Sequence, residues 1–305
     1  ASCRDAASCR RSRGALKSSL TVALCTFLWS LVATPVSIGL SRMFRLLDVP
    51  GGRKTHEDIT PRGAGIVLWM GFLLWSLVVG GRGLTTPYVA TGATGVFLVG
   101  YMDDMHPLPP LLRLALHLAA AFWVTLPLPV APTERVLLGL WIAGLTNAFN
   151  LIDGMDGLSL SLSLVTILVA CAFSGPLTWL PFAGLVAGVL VWNFPHARTF
   201  LGDGGSTLLG FLCSSQLAWD LYSVPQRTGL WIFAGILVLV GGVPVLDTCV
   251  AMGRRILLGR SPFSPDRGHA HHRLLDRGVS KGTTLALLSA GHLGLVSLGF
   301  FLAWP

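Results

Sequence analysis

The stretch SSLTVALCTFLWSLVATPVSIGLS, residues 18–41, contains no charged side chain and decides the class of the protein. An apolar run of this length matches the hydrocarbon core of a bilayer, which an α-helix of about 20 residues can cross. The whole chain has the same character, because 52% of its 305 residues are hydrophobic and only 12% are charged. Soluble domains average about 25% charged residues, so the composition predicts a helical membrane protein.

Further apolar runs follow along the chain, at residues 63–80, 84–100, 111–128, 135–149, 157–174, 177–192, 205–221, 229–251 and 282–304. They are long and unbroken, unlike the short alternating segments of a β-barrel. We therefore predict an all-α, polytopic integral membrane protein with about ten transmembrane helices. Residues 18–305 are expected to form a single transmembrane domain, and residues 1–17 a basic N-terminal tail that can be disordered.

Basic residues are concentrated in two of the predicted loops, and they predict the orientation in the membrane. The loop after the first run and the loop before the last run carry Arg42, Arg45, Arg53, Lys54, Arg62, Arg254, Arg255, Arg260, Arg267, Arg273, Arg277 and Lys281. Ten spans place both loops on one side, which the positive-inside rule makes cytoplasmic. The basic tail then lies outside, against the rule. We give the two loops more weight than the tail in predicting the orientation. The net charge of +8 is thus explained by topology and does not predict nucleic-acid binding.

Five polar clusters lie at the predicted cytoplasmic ends of the spans, where ionisable groups are costly and indicate function. The first covers residues 48–65 and combines Arg53, Lys54 and Arg62 with hydroxyl groups and a glycine-rich turn. Such a loop suits phosphate binding, and the alternative is a simple membrane anchor.

Three carboxylates predict a metal site. Asp103 and Asp104, the second cluster, are adjacent like charges, and a divalent cation would relieve their repulsion. The fourth cluster covers residues 192–207 and contains Asp203, the natural third carboxylate. Mg²⁺ prefers one or two carboxylates together with substrate phosphate oxygens, so we predict Mg²⁺ here, with Mn²⁺ as a substitute. The alternative interpretation is a solvated helix end at Asp103 and a helix cap at Asp203.

The third cluster places Asn147, Asn150, Asp153 and Asp156 at intervals of three residues, which predicts one face of a helix. The glycines at 154 and 157 are expected to break that helix or to let a ligand approach the backbone. Buried carboxylates need partners, so this motif indicates a binding site.

The fifth cluster contains His269, His271 and His272. Histidines at this spacing could bind a soft metal or donate hydrogen bonds to a diphosphate. Nearby arginines disfavour a metal, and we therefore favour phosphate. By contrast, His117 and His292 lie inside apolar runs and are expected to be polar packing residues.

The five clusters, in this order, resemble the polyprenyl-phosphate N-acetylhexosamine-1-phosphate transferases of glycosyltransferase family 4, from about residue 20 to the C-terminus. Arg53-Lys-Thr-His56 and the Ser261–His272 segment resemble the bacterial branch that transfers GlcNAc-1-phosphate from UDP-GlcNAc to undecaprenyl phosphate. The resemblance implies a UDP-N-acetylhexosamine donor, a polyprenyl phosphate acceptor and release of UMP. It also implies that the enzyme catalyses the first membrane step in the synthesis of a cell-envelope polysaccharide. The enzyme would lie in the bacterial inner membrane with its active site facing the cytoplasm. A homodimer is compatible with the resemblance.

The resemblance also implies roles for individual residues. The catalytic residues would be Asp103, Asp104, Asp203, His269, His271 and His272, with Mg²⁺ at the three carboxylates and Asp103 as candidate base. The substrate-binding residues would be Lys54, Asn147, Asn150, Asp153, Asp156, Asn193, Phe200 and Arg267, with Phe200 near the uracil ring. One departure is Gly204, where the family usually has Thr or Val, and this glycine is expected to loosen the loop.

Three alternatives stay open from the sequence. A phospho-MurNAc-pentapeptide transferase is one, although its usual first loop and its Pro-x-His-His-His segment differ from this chain. A relative that uses UDP-FucNAc or UDP-QuiNAc is the second. The third is an ion-coupled transporter, which would place its polar residues near the middle of the bilayer and not at the ends of the spans.

Overall fold

The computed structural model describes residues 3–48, 59–79, 83–262 and 268–304, and it confirms the predicted all-α architecture. Within these ranges the helices are α1 (Cys3–Met43), α2 (Ala64–Val79), α3 (Pro87–Met105), α4 (Pro110–Thr125), α5 (Pro132–Ile152), α6 (Leu158–Ser174), α7 (Pro176–Asn193), α8 (Gly202–Leu221), α9 (Pro225–Thr228), α10 (Leu230–Leu257), α11 (Ala270–Leu275) and α12 (Lys281–Ala303). A 3₁₀ turn at Gly83–Thr85 precedes α3, and two short strands, β1 (Leu47–Asp48) and β2 (Thr60–Pro61), pair with each other.

Each of the ten predicted spans coincides with one helix, namely α1 to α8, α10 and α12. By length and composition, Leu16–Met43, Pro132–Ile152, Leu230–Leu257 and Lys281–Ala303 are apolar enough to cross a membrane. Shorter apolar helices accompany them at Ala64–Val78, Pro110–Thr125, Leu158–Ser174 and Thr178–Asn193. The chain is therefore a polytopic membrane protein. The side of the membrane on which each loop lies stays a prediction.

The basic tail was expected to be separate from the first span, at residues 1–17. In the structure α1 begins at Cys3, so the described part of this segment continues the helix. The division of the chain into a tail and one transmembrane domain stays a prediction.

Helix α8 lies at the centre of the bundle and packs against α2, α3, α5 and α6. Every residue from Gly204 to Ala218 is buried. Because protein and not lipid surrounds it, α8 can carry polar side chains whose partners come from its neighbours. At its far end, Asp220 accepts hydrogen bonds of 2.8 Å from the Trp179 indole and of 2.8 Å from the Gln216 amide. This buried carboxylate is thus satisfied by structural contacts.

Glycines let α3 approach α8 closely near the start of α8. A Cβ atom on Gly100 would lie 2.6 Å from the carbonyl oxygen of Asp203 and 2.6 Å from the Cα of Gly204. Small residues at a helix contact allow backbones to pack this tightly in membrane proteins. The expectation that Gly204 loosens the loop is therefore wrong, because Gly204 lies in the first turn of α8 and packs against the backbone of α3.

Helix α10 is broken at Gly242, whose φ of 57° and ψ of −142° are not helical. Pro244 follows and cannot supply a backbone donor. The Val243 N–H donates to Nδ1 of His292 at 3.2 Å, and Nε2 of the same ring lies 2.8 Å from the Thr166 hydroxyl. Both ring nitrogens of His292 are therefore used, which confirms its predicted role as a polar packing residue.

We expect His292→Leu to destabilise the protein. The substitution leaves the Val243 N–H and the Thr166 hydroxyl without this partner in a buried region, and an unsatisfied buried group costs about 1–3 kcal/mol. The thermal unfolding temperature in detergent should fall accordingly. The matched control is Leu293→Ala on the same helix, since Leu293 is exposed. Equal unfolding temperatures for the two variants would contradict the assigned role of His292.

Candidate active site

Three carboxylates converge where α3 ends and α8 begins. Asp103 accepts a hydrogen bond of 2.6 Å from the Leu108 N–H and forms an ion pair with Arg113. The same Nη1 atom of Arg113 lies 3.1 Å from Oδ2 of Asp203. One guanidinium group thus bridges a carboxylate from each helix, as the predicted grouping of Asp103 with Asp203 requires.

Asp104 is oriented by a cation and by a backbone donor. Its Oδ1 accepts from Arg62 at 2.9 Å, and its Oδ2 accepts from the Gly204 N–H at 3.2 Å. Gly202 has a φ of 69°, and a Cβ atom there would lie 2.5 Å from Oδ2 of Asp104. Glycine is therefore required at position 202, both for the backbone conformation and for the space that Asp104 occupies.

Arg62 is held in place by a small sheet. β1 and β2 pair in antiparallel register, with Asp48 opposite Thr60, and Arg62 also forms an ion pair with Asp48. Next to β2, the Phe200 N–H donates to the Pro61 carbonyl at 2.8 Å, so that Phe200 and Arg62 form a parallel bridge. The backbone of the predicted site residue Phe200 is thereby fixed beside that of Arg62, and both residues line the cavity described below.

The amide and carboxylate motif divides between a helix and a loop, because α5 ends at Ile152. The prediction of one helical face therefore holds only for the two asparagines. Asn147 turns toward α4, where it lies 3.2 Å from His117, while Asn150 accepts from the Ser206 hydroxyl at 3.0 Å.

The two carboxylates of the motif lie in the loop between α5 and α6. Asp153 accepts a hydrogen bond from the Ser159 hydroxyl. Asp156 forms an ion pair of 3.0 Å with Lys281, at the start of α12. Gly157 has a φ of 73° and is the N-cap residue of α6, so the predicted break in the helix is present here.

Asn193 joins two loops of the site. Its side-chain oxygen accepts from the Gly157 N–H at 2.8 Å, and its amide donates to the Thr199 carbonyl at 2.7 Å. Both ends of this amide are used within the protein. Asn193 therefore shapes the site by holding the Asp153–Asp156 loop near Phe200.

The three histidines have different surroundings. His269 faces Asp247 in α10, at 2.7 Å. His271 is buried against Gly154, where an added Cβ atom would lie 2.4 Å from its Nε2, and neither of its ring nitrogens has a hydrogen-bond partner among the described residues. His272 faces the cavity described next. Lys54 and Arg267 lie outside the described residues.

These groups enclose a cavity of about 230 Å³. It is lined by Asp48, Arg62, Asp104, Asn150, Asp153, Gly154, Met155, Asp156, Asn193, Phe200, Leu201, Gly202, Asp203 and His272. The structure therefore brings most of the predicted site residues to one place. It turns Asn147 and His269 toward other partners, and Asp103, which pairs with Arg113, is not among the residues that line the cavity.

Sequence reasoning missed Arg113 and Lys281 as partners of the site carboxylates, and it missed Asp48 as a partner of Arg62. A signal for Arg113 was present, because an arginine within the apolar run of α4 is costly unless it is paired. Asp48 and Lys281 had only the weak signal of lying in the first and last basic loops.

Burial raises the pKa of Asp153 to about 7, and the negative charges of Asp203, Asp104 and Asp156 act in the same direction, against the Ser159 hydrogen bond. The folded protein therefore holds a proton at Asp153 that the unfolded chain loses near pH 4. Stability contributed by this proton is lost as the pH rises from about 4 to 7.

We accordingly expect Asp153→Asn to raise the unfolding temperature of the protein without divalent cations. The gain should be small near pH 4, grow until about pH 7 and then stay constant, since Asn cannot ionise. Thermal unfolding measured from pH 4 to pH 8 tests this. Asp156→Asn is the control, because Asp156 has Lys281 as its partner and no gain is expected there. A gain in unfolding temperature for Asp153→Asn that does not change with pH would contradict the raised pKa of Asp153.

Comparison with known proteins gives a consistent result. The sequence pattern of glycosyl transferase family 4 matches residues 86–219, which include α3 to α7, most of α8 and the three carboxylates. A protein of Bacillus subtilis named probable undecaprenyl-phosphate N-acetylglucosaminyl 1-phosphate transferase is 32% identical, over 84% of this chain and 77% of its own length.

Two other relatives are similar over comparable lengths. The decaprenyl-phosphate N-acetylglucosaminephosphotransferase of Mycobacterium leprae is 30% identical, over 92% of this chain and 81% of its own. The undecaprenyl-phosphate alpha-N-acetylglucosaminyl 1-phosphate transferase of Escherichia coli is 28% identical, over 83% and 76%. On the strength of these matches, which extend well beyond the carboxylate motifs, the chain belongs to glycosyl transferase family 4.

Proposed function

We propose that this protein transfers GlcNAc-1-phosphate from UDP-GlcNAc to a polyprenyl phosphate and releases UMP. The observation that carries the proposal is the cavity at the ends of α3 and α8, where Asp104, Asp203 and Arg62 face Phe200 and the Asp153–Asp156 loop. The names of the relatives support the same donor group and the same class of acceptor.

The location that we propose is a bacterial plasma membrane, with the cavity on the cytoplasmic side. The basic residues of the first and last large loops support this orientation. A nucleotide sugar made in the cytoplasm would then reach the cavity directly, and the acceptor would arrive from the bilayer. A homodimer is compatible with this arrangement, and cross-linking in native membranes would test it.

The carboxylate ligands that the cavity offers fit Mg²⁺. Among the described residues no group of three or more His, Cys, Asp or Glu side chains forms a ready-made metal cluster. Mg²⁺ does not require one, because it binds through one or two carboxylates together with substrate phosphates. A single guanidinium serves both Asp103 and Asp203, which leaves negative charge for a cation to balance. Asp104 and Asp203 would hold the ion, with Asp103 beside them, and the bound ion would neutralise charge on the diphosphate.

The protein side chains would act mainly by positioning and by charge, as phosphoryl transfer requires. Arg62 and Arg113 supply positive charge on two sides of the carboxylates. Phe200 offers an apolar ring to the uracil, and Asn150, Asp153 and Asp156 offer hydrogen-bond groups to the nucleoside. His272 faces the same cavity and is suited to the diphosphate.

We propose a direct in-line displacement. An oxygen of the lipid phosphate forms a bond to the β-phosphorus of UDP-GlcNAc, and the bond from that phosphorus to the bridging oxygen breaks. The bridging oxygen leaves with UMP, so one diphosphate bond replaces another and the reaction is reversible. A lipid phosphate is already ionised at neutral pH, so the reaction does not need a base. Asp103 is bound to Arg113 and to the Leu108 N–H, and we infer that it orients Arg113.

A transfer assay tests the proposal. Purified protein, tritiated UDP-GlcNAc, undecaprenyl phosphate and Mg²⁺ should give a labelled product that extracts into organic solvent, together with UMP. Product should be absent without the lipid or with excess chelator. The same assay with UDP-GalNAc, UDP-FucNAc, UDP-QuiNAc and UDP-MurNAc-pentapeptide defines the donor. The absence of product from every UDP-N-acetylhexosamine would overturn the proposal.

A further inference from the structure

Asp247 is a carboxylate within the apolar helix α10 that the candidate active site does not use. It lies five residues after the break at Gly242, in the half of the helix that leads toward α11. Only 9% of its side chain is exposed. A buried carboxylate in a membrane helix is costly and needs specific partners, so its contacts indicate what it is for.

Both oxygens of Asp247 are directed at the start of α11. Oδ2 lies 2.7 Å from Nδ1 of His269, and Oδ1 accepts from the Ala270 N–H at 2.8 Å. Ala270 is the first residue of α11, and His269 is its N-cap but makes no side-chain cap of its own. Asp247 therefore caps α11 from another helix, and a carboxylate suits this place because a helix N-terminus carries partial positive charge.

The same contact selects the tautomer of His269. An ionised carboxylate accepts a hydrogen bond from the Nδ1–H group, so that Nε2 carries the lone pair. Nη2 of Arg255 lies 3.5 Å from that Nε2, and a guanidinium N–H is a suitable donor to its lone pair. A carboxylate on the far nitrogen is a usual way to fix the orientation of a functional histidine. Here the ring is thereby held away from the cavity.

The orientation of α11 determines part of the cavity wall. His272 lies on α11 and lines the cavity, while His271 packs against Gly154 in the loop that carries Asp153 and Asp156. A rotation of this short helix would therefore move His272 and the Asp153–Asp156 loop together.

We propose that Asp247 is a positioning residue for the transfer reaction. It holds His269 in one tautomer and caps α11, so that His272 is presented to the cavity. This inference rests on the proposed function, and Asp247 itself is not among the residues that line the cavity.

The test compares Asp247→Asn with Asp220→Asn in the transfer assay. The second is a matched control, because Asp220 is also a largely buried carboxylate but is bound to Trp179 and Gln216 at the other end of α8. We expect kcat to fall about 10–100-fold for Asp247→Asn, the size of the loss when a carboxylate that orients a metal-binding histidine is removed. KM for UDP-GlcNAc should change little, and Asp220→Asn should keep the wild-type kcat per folded molecule.

A double-mutant cycle with His269→Ala separates positioning from a general structural role. If Asp247 acts through His269, Asp247→Asn should cost less in kcat once His269 has been replaced. Fully additive losses, or a kcat for Asp247→Asn equal to that of Asp220→Asn, would overturn the inference. An inactive wild-type protein would instead contradict the proposed function itself.

A second pair of variants applies if Asp247→Asn is not recovered as a folded protein. His269→Asn places an amide donor close to the position of Nδ1 and can keep the bond to Asp247, whereas His269→Ala cannot. Higher kcat for His269→Asn than for His269→Ala supports the positioning role, and equal values overturn it.

Discussion

Asp104→Asn and Asp203→Asn should each lower the formation of lipid-linked product by about 10³-fold or more, the scale on which charged groups at phosphoryl-transfer sites affect the rate. Both carboxylates line the cavity, at the ends of different helices. Asn has nearly the same shape and keeps one acceptor oxygen, so it removes the charge while leaving the close packing of α3 on α8 intact. Turnover is measured with saturating UDP-GlcNAc and lipid phosphate, across a range of Mg²⁺ concentrations.

The control for this loss is again Asp220→Asn, at the opposite end of α8. It removes a buried carboxylate of the same helix, so any loss that comes from weakened folding should appear in it as well. If the two variants at the cavity keep turnover similar to Asp220→Asn, the carboxylates of the cavity are not part of the reaction. If excess Mg²⁺ restores either variant, that carboxylate contributes to cation affinity more than to the rate.

The helices could be predicted from the sequence because each leaves a local pattern. A run such as residues 229–251 is apolar throughout, and the bilayer leaves few other structures open to it. The predicted fifth span, 135–149, was too short, since α5 extends from Pro132 to Ile152. Its last turn contains Asn150, a polar residue that the prediction placed beyond the end of the span. Asn150 lies within the helix and contacts Ser206 of α8.

The partners within the site could be predicted only in part. Asp103, Asp104 and Asp203 stand out as charges beside apolar runs. Arg113, in contrast, contacts Asp203 across 90 residues of chain. The contact between His269 and Asp247 depends on the direction that α10 takes after its break at Gly242. Such contacts follow from the packing of whole helices, which a local pattern does not contain.

Gly100→Ala should reduce turnover by about 10²-fold, because a displacement of about 1 Å in a catalytic group can have that effect. The added Cβ atom would lie 2.6 Å from the Asp203 carbonyl oxygen and 2.6 Å from the Cα of Gly204. These are backbone atoms, which cannot rotate away as a side chain can. The end of α3 must therefore move from α8, and Asp103 and Asp104 move with it. Gly95→Ala on the same helix is the control, since nothing lies within 4 Å of its added Cβ atom.

Gly204→Val tests the same contact from the other helix. Its Cβ atom would lie 3.0 Å from the Tyr101 nitrogen and 3.1 Å from the Phe97 carbonyl oxygen, and overpacking of this kind costs about 1–3 kcal/mol. We expect lower turnover and a lower unfolding temperature than for Gly95→Ala. If both Gly100→Ala and Gly204→Val match Gly95→Ala, the spacing of α3 and α8 does not set the geometry of the carboxylates. A loss in both variants would mean that glycines on two facing helices, and not the carboxylates alone, determine how Asp103, Asp104 and Asp203 meet.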